Sequence, residues 1–145
     1  MALSLTIILI ADESRASKRE SDKWGSGAYG ASRGSRKHNG IDFACYPNTK
    51  IYPVKSGIVA KVGYPYGDDL SYRYIRVRDE NGYEMDYFYV EPNENAHVGR
   101  FVNQHDCIGL SQGLQRRYEG ITDHVHFQVK FEGVYADPEQ FLETL

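Results

Sequence analysis

From residue 46 onward the apolar positions fall in short runs with a period near two, and turn chemistry interrupts them every few residues. The runs that read as strands are Ile51–Val54, Gly57–Val62, Tyr72–Arg78, Tyr83–Val90, Arg100–Val102, Cys107–Ser111 and His124–Phe131. The interruptions (Tyr-Pro-Asn, Tyr-Pro-Tyr-Gly-Asp-Asp, Asp-Glu-Asn-Gly and Glu-Pro-Asn-Glu-Asn) are rich in the residues turns require. Asn81-Gly82, between two alternating runs, is a hairpin signal, because this dipeptide tolerates the positive φ of the primed turns. Asp137-Pro138-Glu139 then offers an N-cap, a first-turn proline and an acidic first turn, which predicts a short helix ending near Leu142. The pattern is that of a mainly β domain built from antiparallel strands.

The N-terminal end has a different texture. Leu3 to Ala11 is an apolar run of nine residues, well short of the ~20 needed to span a bilayer. No Lys or Arg precedes it and no clear small-residue cleavage site follows, so it reads as a β-strand, buried or paired with a partner, and not as a secretory signal. Residues 12–23 mix both charge signs without apolar periodicity and read as a linker or a frayed helix. From Trp24 onward, Gly25, Gly27, Gly30 and Gly34 punctuate a loop. The chain thus divides into an N-terminal strand and charged linker, residues 1–24, and one domain over residues 25–145.

Composition narrows the function classes. With 41% apolar and 26% charged residues, the 145-residue chain has the balance of a soluble globular domain. A net charge of −3 with no basic stripe argues against nucleic-acid binding. Tyrosine is over-used, at 12 residues, and suits both sheet faces and wet binding grooves. Cys45 and Cys107 are too few for a disulfide scaffold and sit in apolar, strand-like contexts, so free thiols are the favoured reading and the compartment stays open.

Two short motifs concentrate metal-ligand chemistry. His38-Asn39-Gly40-Ile41-Asp42 and His124-Val125-His126 together hold three of the five histidines. Zinc accepts imidazole nitrogen and carboxylate oxygen, and a catalytic zinc needs only three protein ligands with the fourth position open. In a strand, residues i and i+2 share a face, roughly 6–7 Å apart. His124 and His126 therefore point the same way, one towards a metal and the other towards whatever the metal holds. His38 and Asp42, four apart, share a face in a strand or a helix, and Gly40 between them permits a tight backbone. No His-Glu-x-x-His segment occurs, which excludes the thermolysin-type arrangement with its glutamate base. His97 and His105 have no partner at ligand spacing and read as surface residues. Arg33 and Arg36 flank the first motif, and their guanidinium forks suit a substrate carboxylate.

These motifs resemble the lysostaphin-type (LytM-like) zinc endopeptidases, which cut peptide cross-bridges of bacterial peptidoglycan. The resemblance runs from Gly25 to Leu142. It includes Arg36-Lys37-His38-Asn39-Gly40-Ile41-Asp42-Phe43, the stretch Pro47 to Val59, Val98-Gly99, Ile108-Gly109-Leu110-Ser111, His124 to Phe127, and the closing Asp137 to Leu142. It implies a fold of antiparallel sheets forming an open groove, a zinc ion held by His38, Asp42 and His126, and His124 as catalytic histidine. Arg36 and Tyr87 are the substrate contacts expected beside them.

One position departs from the family pattern. Active members carry a second catalytic histidine in a Tyr-x-His-Leu segment, and here Tyr87-Phe88-Tyr89-Val90 places Tyr89 at that position. The same tyrosine, the Phe-Tyr-x-x-Pro segment and the run from Tyr118 to His126 resemble a vertebrate leukocyte chemotactic factor of this fold, regarded as lacking peptidase activity. A phenol is a weaker acid than an imidazolium near neutral pH. Tyr89 is therefore expected to serve as a poorer catalytic donor. Two functions are expected on this basis. One is a zinc endopeptidase acting on peptidoglycan peptides with reduced or altered activity. The other is a non-catalytic zinc-binding structural or recognition module, such as a virion or assembly component docking through residues 1–11. The corresponding locations are secreted, periplasmic or virion-associated, and the small single-domain format suits a phage lytic enzyme.

Overall fold

The structure, a computed structural model, describes residues 17–19, 22–25, 28, 30, 32–33 and 36–145. The strand expected within residues 3–11, with the docking role assigned to it, lies outside the described residues. Along the rest run β1 (Ser17–Lys18), β2 (Ser32–Arg33), β3 (Arg36–Lys37), β4 (Ile41–Ala44), β5 (Lys50–Ile51), β6 (Gly57–Gly63) and β7 (Tyr74–Arg78). They are followed by β8 (Tyr83–Phe88), β9 (Val90–Pro92), β10 (Phe101–Val102), β11 (Gly109–Ser111), β12 (His124–Phe131), β13 (Val134–Ala136) and one helix, α1 (Pro138–Glu143).

The main sheet has the order β1-β4-β12-β8-β7-β6-β10, with β13 pairing the far end of β12, and its pairings are antiparallel. A second sheet, β5-β11-β9, and a ribbon, β2-β3, complete the architecture. The expected mainly β, antiparallel fold with a short C-terminal helix is what forms. Asp137 caps α1 by accepting from the backbone N–H groups of Glu139 and Gln140, Pro138 occupies its first turn, and Phe141 and Leu142 bury its apolar side.

The turns differ from the sequence reading in an instructive way. At Asp79–Gly82 only Gly82 adopts positive φ (91°). Asp79 receives the Gly82 N–H and donates its own to Tyr83, the pattern of a three-residue loop closed by a left-handed glycine. The Asp79 carboxylate accepts from the N–H groups of Asn81 and Tyr83, which stabilises this loop over a two-residue primed turn. The primed geometry appears instead at Glu132-Gly133, both with positive φ (51° and 79°), joining β12 to β13. The charged stretch read as a linker or frayed helix contributes β1, paired Ser17 to Ala44 and Lys18 to Phe43. A two-residue edge strand is too short to show alternation, and charged residues suit an edge.

The two faces of the main sheet have opposite chemistry. Ile41, Phe43, Ile75, Val77, Met85, Tyr87, Val125, Phe127 and Val129 point into the hydrophobic core. Period two then puts Asp42, Arg76, Asp86, Phe88, His124, His126 and Gln128 on the other face. That polar face is itself covered, since Asp42, Asp86, His124 and Gln128 are all buried. Buried polar groups need partners, and the partners define the site.

Candidate metal centre

Strand register builds the centre. The β4–β12 pairing sets Asp42 opposite His126 and Ala44 opposite His124, while His38 enters from the residues just ahead of β4. His38 Nε2 lies 2.9 Å from His126 Nδ1 and 3.1 Å from Asp42 Oδ1, and His126 Nδ1 lies 2.9 Å from the same oxygen. Gly40 makes the close packing feasible: a Cβ there would stand 2.8 Å from the Cε1 and Nε2 atoms of the His126 ring.

The outer hydrogen bonds assign the tautomers. His38 Nδ1 is 3.0 Å from the Ala28 carbonyl oxygen, and His126 Nε2 is 2.9 Å from Gln128 Oε1. Each acceptor requires an N–H, which leaves lone pairs on His38 Nε2 and His126 Nδ1. Two lone pairs and a carboxylate oxygen thus converge on one point, an arrangement that repels itself unless a cation or a proton lies between them. Two imidazoles and a carboxylate with donor atoms this close form a group able to hold a metal ion, and this donor set is the one zinc favours. Burial alone would raise the Asp42 carboxyl, but the imidazoles of His126 and His38 packed against it, with the nearby His124, hold it well below the usual carboxylate range.

The Gln128 orientation is itself enforced. Its Nε2 donates to Asp86 Oδ2 at 3.0 Å, and Asp86 is gripped by Arg76 through bonds of 2.7 and 3.1 Å. Gln128, Asp86 and Arg76 are cross-strand partners on β12, β8 and β7. This row escaped the sequence analysis. Its available signals were a glutamine two residues beyond His126, on the same face, and an aspartate within the otherwise apolar centre of β8.

His124 sits one rung from this triad. Its Nδ1 lies 2.7 Å from the Thr122 carbonyl oxygen and its Nε2 lies 3.4 Å from Asp42 Oδ2. Burial pushes this imidazole below its usual value, against the pull of Asp42, so it stands neutral with its lone pair on Nε2. Tyr89 follows β8 in a left-handed conformation (φ 70°), and its ring packs edge-on against His124 with centroids 5.5 Å apart. Its hydroxyl is 2.7 Å from that of Tyr66, which is 2.6 Å from that of Tyr118. Burial raises the Tyr89 phenol above its ordinary value, so it stays protonated.

His38, Asp42, His124 and His126 share an open groove of 560 Å³ with an aromatic wall that includes Trp24, Tyr66, Tyr89, Tyr118 and Tyr135. Tyr87 is not among them. It points to the opposite face of β8, is fully buried, pairs in register with Phe127, and accepts the Val54 N–H at its hydroxyl (2.8 Å). The expected substrate contact at Tyr87 is therefore corrected to a core residue, as the parity of Asp86 and Phe88 requires. Arg36 and Arg33 pair through their backbones in the β2–β3 ribbon, and their side chains lie outside the described residues. His97 and His105 are exposed and away from the groove. Cys45 is buried and Cys107 half-buried, and the two do not form a disulfide with each other.

Residues 36–138 match peptidase family M23. The chain belongs to that family. The M23 match begins two residues before His38 and includes every proposed metal ligand, together with His124 and Tyr89. Leukocyte cell-derived chemotaxin-2 of Mus musculus is 27% identical over 120 residues, 83% of this chain and 78% of that protein. Among solved structures, the catalytic domain of the antimicrobial peptidase lysostaphin from Staphylococcus simulans aligns with a TM-score of 0.60 at 26% identity, over 82% of this chain and 89% of that one. A zinc containing peptidase from Vibrio cholerae shares the fold at a TM-score of 0.57 and 23% identity, over 85% of this chain and 39% of that one. The M23 fold here is mainly β, with an unclosed sheet and one short C-terminal helix. Among the described residues no helix is long and apolar enough to cross a membrane.

Proposed function

We propose that this M23 chain is a zinc-dependent endopeptidase acting on peptide bonds of bacterial cell-wall peptidoglycan, with turnover reduced or redirected by Tyr89. The observation that carries the reading is the convergence of His38 Nε2, Asp42 Oδ1 and His126 Nδ1, each nitrogen fixed in its tautomer, beside a neutral His124 in an open groove. When bound there, zinc supplies Lewis acidity, lowering the pKa of water and polarising a peptide carbonyl. The side chains supply the rest. His124 Nε2 takes the proton of the attacking water as general base, while Thr122 holds the opposite ring nitrogen and Asp42 stabilises the resulting imidazolium. Tyr89 is the donor nearest the position a second imidazolium would occupy. Its hydroxyl is engaged by Tyr66, and its raised pKa makes it a weak acid. Loss of one oxyanion donor costs ~10²–10³ in rate, and a phenol recovers part of that. The aromatic wall offers flat apolar faces and hydroxyls to an extended peptide. Such a substrate places the protein's work outside the cytoplasm, by secretion, in a periplasm or on a virion.

A second reading is a zinc-stabilised recognition module without turnover. The closed hydroxyl chain Tyr89–Tyr66–Tyr118 and the similarity to leukocyte cell-derived chemotaxin-2 favour it. Incubating purified peptidoglycan with the zinc-loaded chain and counting new amino termini separates the two. Slow release that rises in Tyr89→His supports the enzyme; no release from either protein leaves the recognition module.

A further inference from the structure

The segment ahead of the matched M23 residues reaches into the metal centre through one side chain. Arg19 is 2% exposed although it belongs to the most highly charged stretch of the chain. Its backbone N–H donates to the Asp42 carbonyl oxygen at 2.7 Å, and its Nη1 donates to Asp42 Oδ2, also at 2.7 Å. The other edge of the guanidinium is clasped by Asp22, through Nε to Oδ2 at 3.1 Å and Nη2 to Oδ1 at 2.8 Å. Asp22 Oδ2 accepts the Thr122 N–H at 2.9 Å, and the Thr122 carbonyl oxygen is the acceptor that sets the tautomer of His124. One contiguous network thus runs from a metal-ligand carboxylate to the histidine beside it, through two residues that precede residue 36.

We propose that Arg19 is a positioning residue for the metal centre: it occupies Asp42 Oδ2, so that the carboxylate offers Oδ1 alone to the ion, and through Asp22 and Thr122 it couples that geometry to the orientation of His124. A carboxylate binds metals through one or both oxygens, and a site that works on substrate must keep a coordination position open. A buried, bidentate guanidinium is suited to withholding one oxygen, because its fork is rigid and its charge permanent. The Arg19–Asp22 pair is neutral as a unit, so it orients Asp42 without cancelling the charge that attracts the cation. This inference rests on the proposed ligand set and deepens it.

The test uses the full chain loaded with Co²⁺ and, separately, with Zn²⁺ in competition with a chelator. In Arg19→Met, Asp42 Oδ2 is released and moves onto the ion. The visible absorption of the Co²⁺ protein then loses intensity as the coordination number rises, and zinc affinity falls by roughly 10–100-fold, the usual cost of removing a partner of a metal ligand. Arg19→Lys, which keeps a cationic donor for Asp42, restores most of both. A folded Arg19→Met protein with the parental spectrum and zinc affinity overturns the proposal. If Arg19→Met does not fold, Asp22→Asn decides, since it loosens the guanidinium without touching Asp42: a weakened Co²⁺ spectrum supports positioning, and an unchanged one refutes it. A parent chain that takes up neither ion would remove the metal reading itself, and this inference with it.

Discussion

The two sides of the groove are held in different ways. On the side of the proposed metal site, each candidate ligand nitrogen is aimed by a second hydrogen bond, and β4, β12, β8 and β7 lock Asp42, His126, Gln128, Asp86 and Arg76 in register. On the tyrosine side, Tyr66, Tyr89 and Tyr118 all lie in loops, and their hydroxyls hold one another. A sheet transmits register errors to every rung, whereas a loop absorbs them. The proposed ion-binding half is therefore fixed by sheet register, while the tyrosine half, held by loops, tolerates substitution more readily. Breaking the rigid side should therefore cost much more than altering the loop side.

The largest effect is expected from the ligands. His38→Ala or His126→Ala should abolish stoichiometric zinc uptake, measured on the intact chain by native mass spectrometry, whereas Tyr118→Phe should leave it at parental level. A His126→Ala protein that still holds one zinc would remove the assigned ligand set. Next comes Tyr89→His, the change that would make the loop side resemble the family pattern. Peptide release from peptidoglycan should rise by roughly tenfold or more, given the ~10²–10³ attached to one oxyanion donor. An unchanged rate would mean that the tyrosine wall, and not one missing imidazole, limits turnover.

The sequence made the rigid side legible in part. His38, Asp42, His124 and His126 stand at spacings that chemistry recognises, and the alternation along β12 puts both of its histidines on one face. The cross-strand neighbours were not legible, because register belongs to the fold: nothing local in Gln128 or Asp86 announces that they meet. A continuous strand over Tyr83–Val90 would put Tyr87 and Tyr89 on the same face. In fact β8 ends at Phe88, Tyr89 turns left-handed, and β9 continues in the second sheet, so Tyr87 keeps the core parity of Met85. Arg19 was hidden by its surroundings, since a guanidinium in a mixed-charge run reads as solvated until its two carboxylate partners are in view.

A milder break of the rigid side is Gln128→Leu. It keeps the volume but removes the acceptor that holds the His126 Nε2–H, so the ring no longer has an enforced tautomer. Zinc affinity should fall by roughly 10–100-fold while the ligands remain, and competition with a chelator reads it. It also leaves the Asp86 carboxylate with Arg76 alone, which keeps that buried charge paired and the fold intact.

The smallest effect is expected from Tyr66→Phe, which deletes the middle hydroxyl of the tyrosine chain. Tyr89 and Tyr118 each lose one hydrogen bond, but both side chains border the open groove, so water replaces the lost partner and neither hydroxyl is orphaned. The stability loss should be about 1 kcal/mol, a fall in Tm of roughly 4 °C, with zinc affinity unchanged. The freed Tyr89 hydroxyl becomes available to a substrate oxygen, so any peptide release should increase by a small factor. The same substitution tests whether the two sides of the groove are independent. If Tyr66→Phe weakened zinc binding as much as Gln128→Leu does, the loop side would be supporting the metal through the Tyr89–His124 contact, and the groove would have to be treated as one coupled unit.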